Sequence, residues 1–441
     1  MENDANVNPY DENDKIMLYK IFDENGAAEI NSLSQFVGLL ELYNENKSIS
    51  PFQIGGEESI DTYREFERLS QVNYIFRGEG GNYPKRVAGA FRLNCSVLKE
   101  CKSCEKCDEH SYCKAYRDSQ IALYPDFTEA MDEYYRNIIH DLNETEKSDF
   151  TAFAQHHGLP TNLLDVTFSP LTALFMACYK ENYNLKGQMD KNASSAYVYV
   201  FEDYIDVTEI MNKYPDKTVV ELLIENNEYA VEKIYDLLDG YSRSFLMTNK
   251  LNEYTKQLCK NLYLQYDPDV PNVIISDECK GLSEKAKAAM DVFDSDYGEV
   301  RSSALRALRD EIVSIKDFEN LPDDPYLALL IFYLRVVYKP SEGDFMPLMV
   351  YRPKELFKRA RLQQGFFIVQ AYKKIKEDGA YNKNRRIRLI QEIEHSKMIK
   401  INNPEKILRQ LNCIGINSGT MYGDFDRIAK HINKKYEIVK E

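Results

Sequence analysis

Residues 155–178 read QHHGLPTNLLDVTFSPLTALFMAC, and the change of hydrophobic period inside this stretch decides the fold class. Leu163 to Thr167 is a short apolar run that follows the Gly158-Leu159-Pro160 turn, which predicts a strand. From Pro170 onward, Leu171, Leu174, Phe175 and Cys178 recur at three- and four-residue steps, which predicts a helix. Pro170 suits the first helical turn and Ser169 the N-cap. A polar strand end that runs into a helix N-terminus is a place where proteins bind anions or carry out chemistry. His156, His157, Asp165, Thr167 and Ser169 are therefore the first candidate site residues. The helical half, being apolar on most sides, reads as core.

Working outward toward the N-terminus, residues 150–157 read as one or two helical turns. A helix is expected from about Pro125 to Leu142, with Met131, Tyr134, Tyr135 and Ile138 on its apolar face. VNYIFRGEGG predicts a strand over Val72 to Phe76 ending in a glycine-rich turn, with Arg77 at the strand exit. Earlier still, a helix is expected over Asp61 to Leu69. Another is expected through Ile30, Leu33, Phe36, Val37, Leu40 and Tyr43, with Asn31 or Ser32 near its cap.

Toward the C-terminus, AYVYVF at Ala196 to Phe201 predicts a strand. Residues 202–339 are helical in pattern, acidic and short of glycine, and read as an insertion. Strand character resumes at Leu348 to Tyr351 and at Phe366 to Val369. The end of the chain reads as two helices separated by Gly415 to Gly423. Strands and helices thus predict an α+β fold: a small mixed sheet with a helical insertion and terminal helices. The corresponding divisions are 1–71, 72–201 with a cysteine-rich insertion at 95–113, 202–339, and 340–441.

The 441 residues carry a net charge of -15, unevenly spread. From Ser341 onward, 21 Lys and Arg face 12 Asp and Glu, a net of +9, so the first 340 residues hold -24. An acidic body argues against general nucleic-acid binding, while Arg385, Arg386 and Arg388 leave a local RNA or DNA contact open. A solvated helix face is the competing reading of that basic tail. No run approaches the eighteen apolar residues of a membrane helix, and MENDANVNPYDENDK is unlike a signal peptide; a cytoplasmic location with no membrane partner is expected.

Five of the nine cysteines, Cys95, Cys101, Cys104, Cys107 and Cys113, cluster with His110. Cys101, Cys104, Cys107 and Cys113 can converge on structural zinc, with an Fe–S cluster or free thiols as the alternatives. Their spacing matches neither a standard zinc finger nor the ferredoxin run.

Four blocks carry a resemblance: FRGEG at Phe76 to Gly80, AQHHGLPTNLLDVTFSPLTALFMAC at 154–178, RLQQGFF at Arg361 to Phe367, and LNCIGINSGTMYGDFDRIA at 411–429. Together they resemble the FRG domain family of bacteria and phages, often found near mobile elements or defence genes. Their order is also similar to that of the ADP-ribosyltransferase fold, which implies NAD as substrate and ADP-ribosyl transfer or NAD cleavage as the activity of a conflict effector. In that likeness Arg77, with Gly78 beside it, holds a phosphate or ribose. Thr167 or Ser169 takes the central strand position, and Gln363 or Gln364 the late position where those enzymes carry Glu. A glutamine has no charge with which to stabilise an oxocarbenium-like centre, so the chemistry would pass to His156, His157, Asp165 or Glu79.

Each of these residues also has a plainer reading. A histidine at neutral pH can be a general acid or base, or it can cap the helix before Gly158. Asp165 can be a base, or it can satisfy backbone N–H groups. Arg77 can bind a ligand or form a buried ion pair, and the Gln363-Gln364 pair can read an amide or build a turn before Gly365. GEGG lacks the Lys-Ser/Thr of a phosphate loop. Two other classes of function remain: a nucleic-acid-binding or RNA-processing factor using the basic tail and the cysteine knuckle, and a non-catalytic interaction module with a macromolecular target.

Overall fold

The computed structural model describes residues 27–48, 74–82, 86–92, 124–179 (except 126), 196–242 (except 203, 216 and 226), 347–354, 358–375 and 386–436 (except 392 and 424). It also describes 252–253, 255–260, 262–263, 280–295, 298–315, 321, 323 and 325–332. In chain order the first half runs β1 (Ala27–Ile30), α1 (Leu33–Ser48), β2 (Ile75–Glu79), β3 (Tyr124–Pro125), α2 (Phe127–Ile138), α3 (Glu144–Ser148), α4 (Phe150–His156), β4 (Leu163–Thr167), α5 (Pro170–Cys178), β5 (Ala196–Phe201) and β6 (Tyr204–Asp206). There follow α6 (Thr208–Lys213), α7 (Val219–Ile224), α8 (Glu228–Ser242), α9 (Lys280–Phe293), α10 (Gly298–Val313) and α11 (Pro325–Phe332). The chain then closes with β7 (Leu348–Tyr351), α12 (Lys358–Leu362), β8 (Gly365–Val369), β9 (Tyr372–Ile375), β10 (Arg386–Ile390), β11 (Lys397–Ile401), α13 (Pro404–Cys413), α14 (Ser418–Tyr422) and α15 (Phe425–Tyr436).

The class is α+β and the sheet is mixed. Eight strands lie in the order β1-β11-β5-β2-β4-β8-β7-β6, and β3-β10-β9 form a separate three-stranded sheet. Within the large sheet β1 with β11 and β6 with β7 pair parallel, while the other neighbours are antiparallel.

The stretch at 155–178 folds as its periodicity requires. β4 covers Leu163 to Thr167, and α5 starts at Pro170 behind the Ser169 cap, whose Oγ accepts from Thr172 N at 3.2 Å. Strand alternation sends Leu164 and Val166 into one core cluster with Phe91, Phe127 and Phe150, and Leu163 into another. That second cluster joins Leu163, Met349, Tyr351, Phe367 and Val369 of the sheet to helical residues such as Leu222, Leu238, Leu305 and Leu329. A third cluster holds Phe76, Val198 and Ile399 beneath Leu174 and Phe175 of α5. Asp149, at the cap position of α4, is tied to β7 by Tyr351, whose hydroxyl donates to Asp149 Oδ1 at 2.6 Å; burial above all, and then this carboxylate, pushes the phenol pKa up.

Four expectations change. Ile30 belongs to β1, not to the first helix, which begins at Leu33; Ser32 is its cap, its Oγ accepting from Gln35 N at 3.3 Å. Ile30 lies three residues before Leu33 and so fits a helical pattern, but four residues are enough to pair with β11. Arg77 does not stand at a strand exit: β2 continues to Glu79 because residues 75–79 all register with β5. Third, β9, β10 and β11 occupy a region whose sequence signalled only basic residues. Fourth, the stretch between Gly415 and Gly423 contains α14, so the C-terminus has a short third helix. The expected helix at 61–69 lies outside the described residues, as do the cysteines from Cys95 to Cys113 and Arg385. No helix of the described residues is long and apolar enough to cross a membrane.

Candidate functional site

β2 and β4 are neighbours in the sheet but register at a single pair, Phe76 with Thr167. On their other sides each is fully paired, β2 with β5 and β4 with β8. Beyond Phe76 the two strands therefore diverge, and a cleft of about 450 Å³ opens beside them. Its walls come from β2, α4, β4, α5, α12 and β8.

Arg77 bridges the gap. Its Nη1 donates to the carbonyl of Asp165 at 2.7 Å, supplying a hydrogen bond in place of ladder pairing, and its Nε donates to Glu79 Oε1 at 2.6 Å. The ion pair is largely buried, with side-chain exposures of 13% and 7%, which shields it from solvent. Glu79 Oε2 has no partner among the described residues. Gly78, between the two, is required by packing: a Cβ there would lie 1.9 Å from Ala173 O and 2.6 Å from Ala177 N. α5 thus rests its backbone directly on β2.

Asp165 is exposed on the cleft wall, and its Oδ1 accepts from Gln155 Nε2 at 3.3 Å. Gln155 is itself held by a short hydrogen bond from the Thr161 hydroxyl. His156, at the end of α4, lines the cleft, whereas the neighbouring His157 packs its ring 4.4 Å from that of Phe153 and is not part of the wall. Thr167 lines the cleft too, but its hydroxyl is occupied: it donates to Gln363 O at 2.7 Å and accepts from Ser169 N at 2.9 Å. Ser169 is spent as the helix cap. Gln363 lines the cleft while its Nε2 donates to Met421 O at 3.0 Å. Gln364 is exposed with φ of +48°, in the left-handed region; it turns the chain after α12 and stands outside the wall.

Arg77, Gly78, His156, Asp165, Thr167 and Gln363 are thus brought together, and His157, Ser169 and Gln364 are not among the lining residues. All four sequence blocks converge here, the last through Met421. Gln155 was missed although it stands next to His156; only its position on the same wall of α4 shows that it aims Asp165. Also missed is a polar group around Tyr199 on β5. Arg86 lies over the Tyr199 ring at 4.6 Å, the His395 ring is 5.0 Å away, and the hydroxyl donates to Asn82 Oδ1 at 3.3 Å. Burial, reinforced by Glu79, pushes the Tyr199 pKa up to about 12, and burial with Arg86 drives that of His395 down to about 4. Residues so distant in sequence leave no local signal.

Among the described residues no group of three or more His, Cys, Asp or Glu is placed to hold a metal. No curated protein and no solved structure matches the chain. The family model of the FRG domain matches residues 72–185, a span that includes β2, α4, β4 and α5. The blocks at 361–367 and 411–429 fall beyond that match. The match thus takes in Arg77, Gly78, His156 and Asp165, residues of β2, α4 and β4 that line the cleft.

Proposed function

We propose that the cleft binds a nicotinamide nucleotide, NAD being the first candidate, and acts on its N-glycosidic bond. The observation that carries this reading is the placement of Asp165: an accessible carboxylate in the cleft, oriented by Gln155 and adjoining the buried Arg77. Departure of neutral nicotinamide leaves positive charge on the ribose, and a fixed carboxylate stabilises such an oxocarbenium-like centre. Asp165 supplies the charge that Gln363 lacks. His156, on the same wall, is the base for the attacking water or acceptor nucleophile.

Charge supports this choice of ligand. Glu79 neutralises Arg77, so Arg77, Glu79 and Asp165 together sum to -1, unfavourable for a bare phosphate and favourable for a cationic pyridinium ring. Arg77 Nη2 has no partner among the described residues and is available for ribose hydroxyls. A cleft of about 450 Å³ suits the nicotinamide riboside half, with the remainder of the dinucleotide outside.

Incubation with NAD, with nicotinamide release followed by chromatography and binding by calorimetry, tests the reading. Asp165→Asn, a change at an exposed position, is expected to reduce release by about 10²–10³-fold while the protein stays folded. Neither release nor bound nucleotide with the wild-type chain would overturn the proposal.

A further inference from the structure

Thr161 lies outside the cleft wall, in the turn that joins α4 to β4, and is 1% exposed. The residue is anchored twice. Its carbonyl accepts from Ala90 N at 2.9 Å, and its hydroxyl oxygen accepts from Leu163 N at 3.1 Å. The hydroxyl proton is thereby directed away from Leu163, and the acceptor it meets is Gln155 Oε1. Among the described residues it has no other acceptor, and a buried hydroxyl left without one is costly.

A glutamine amide can present either its oxygen or its nitrogen to a neighbour, and the surrounding bonds decide which. With Oε1 held by Thr161, Nε2 is left for Asp165, to whose Oδ1 it donates at 3.3 Å. Three hydrogen bonds therefore run in one direction: Leu163 N–H to Thr161, Thr161 O–H to Gln155, and Gln155 N–H to Asp165. Both ends of the chain impose that direction, because a backbone N–H only donates and an ionised carboxylate only accepts. With the amide reversed, its carbonyl oxygen would face the carboxylate, and two acceptors would repel.

We propose that Thr161 is a positioning residue for the cleft: its hydroxyl fixes which side of the Gln155 amide meets Asp165, and so holds that carboxylate in place for the reacting ribose. The kinetic consequence rests on the reading of the cleft as a site of N-glycosidic chemistry. The orientation of the amide does not.

Nicotinamide release from NAD by the full chain reads the kinetic consequence. Thr161→Val removes the hydroxyl at nearly constant volume and is expected to lower kcat about tenfold, with KM changed less than about twofold. Thr161→Ser supplies a hydroxyl again and is expected to bring kcat back to within about twofold of the wild type. Gln155→Leu is expected to match Thr161→Val, and the double variant to be no slower than Gln155→Leu alone, because the two residues act in series. Losses that multiply in the double variant overturn the inference, as does wild-type kcat in Thr161→Val or no rescue by Thr161→Ser. Should Thr161→Val not fold, Thr161→Ala takes its place in the cycle.

NMR of the side-chain amides reads the orientation without NAD. The Gln155 signal, assigned by its disappearance in Gln155→Leu, is expected to move on Asp165→Asn in the wild-type background and to stay in place in the Thr161→Val background. A signal that ignores Asp165→Asn in the wild type overturns the inference even if NAD is cleaved. Failure to cleave NAD, with the signal behaving as expected, overturns the nucleotide reading and upholds the assignment of Thr161.

Discussion

Gly78→Ala perturbs the contact on which the cleft is built. A Cβ at this position would lie 1.9 Å from Ala173 O and 2.6 Å from Ala177 N, both backbone atoms that no change of rotamer can withdraw. Gly78 does not have a positive φ, so the effect is steric and not conformational. Ordinary contact begins near 3.4 Å, which requires α5 to retreat from β2 by about 1.5 Å. That helix buries Ala173, Leu174, Phe175 and Ala177 completely, so the retreat loosens a whole layer and not one side chain. Overpacking typically costs about 1–3 kcal/mol, and displacement of a buried helix puts the expected loss at the upper end, about 3 kcal/mol. Urea unfolding monitored by circular dichroism measures it. Gly298→Ala, at the start of α10 with nothing within 4 Å of its Cβ, is the control and is expected to be neutral or stabilising by about 0.5 kcal/mol. Because Thr172, Ala173 and Met176 line the cleft, ligand affinity is expected to fall along with stability. A loss below about 1 kcal/mol for Gly78→Ala would refute the packing argument.

Three further outcomes follow from the same geometry. Tyr351→Phe removes a hydrogen bond to the buried Asp149 carboxylate and is expected to cost about 2 kcal/mol in urea unfolding; a cost under 0.5 kcal/mol, on the scale of about 1.5–3 kcal/mol for bonds to charged groups, would mean the bond does not form in solution. Gln364→Gly relieves a left-handed backbone and is expected to stabilise by up to about 1 kcal/mol, read as a rise in Tm; a fall would show that the exposed side chain matters. His395 is held neutral, its pKa lowered from 6.5 to about 4 by burial and Arg86, so between those values the unfolded chain binds a proton that the folded chain does not. Stability therefore rises with pH across that window and is lost as pH falls through it. The full difference corresponds to about 3 kcal/mol, reduced to about 2 because the ring is part exposed. Unfolding at pH 7.5 and 4.5 is expected to show this dependence in the wild type and not in His395→Gln; matching profiles would contradict it.

How much of this was legible in the sequence depends on how local each signal is. β4 and α5 were readable to the residue because the Gly158 turn, the apolar run, the Ser169 cap and Pro170 all lie within one short stretch. Arg77 was misplaced because Gly-Glu-Gly reads as a turn, whereas the strand is continued by β5, more than a hundred residues away. β11, KMIKI, reads as part of a basic tail; pairing with β5 on one side and β1 on the other is what buries Ile399 and Ile401. Among the candidate residues, neighbours that the sequence treats as equivalent are separated by backbone geometry. His156 faces the cleft while His157 packs on Phe153, and Gln363 lines it while Gln364 turns away at φ +48°.

The absence of a late glutamate looked, in sequence, like a missing catalytic charge. In the fold it becomes a question of which carboxylate occupies the cleft, and the two nearby ones are differently placed. Glu79 is buried and committed to Arg77, so it serves to fix that guanidinium and cannot face a ligand without breaking a buried pair, a cost of about 3–5 kcal/mol. Asp165 is exposed and aimed by Gln155, and the parting of β2 from β4 leaves its backbone carbonyl to Arg77 Nη1 in place of a ladder partner. The missing strand pairing and the Arg77 bridge beside this carboxylate are therefore one structural feature. A variant that kept Asp165 but forced β2 and β4 to pair beyond Phe76 would lose the site as completely as Asp165→Asn.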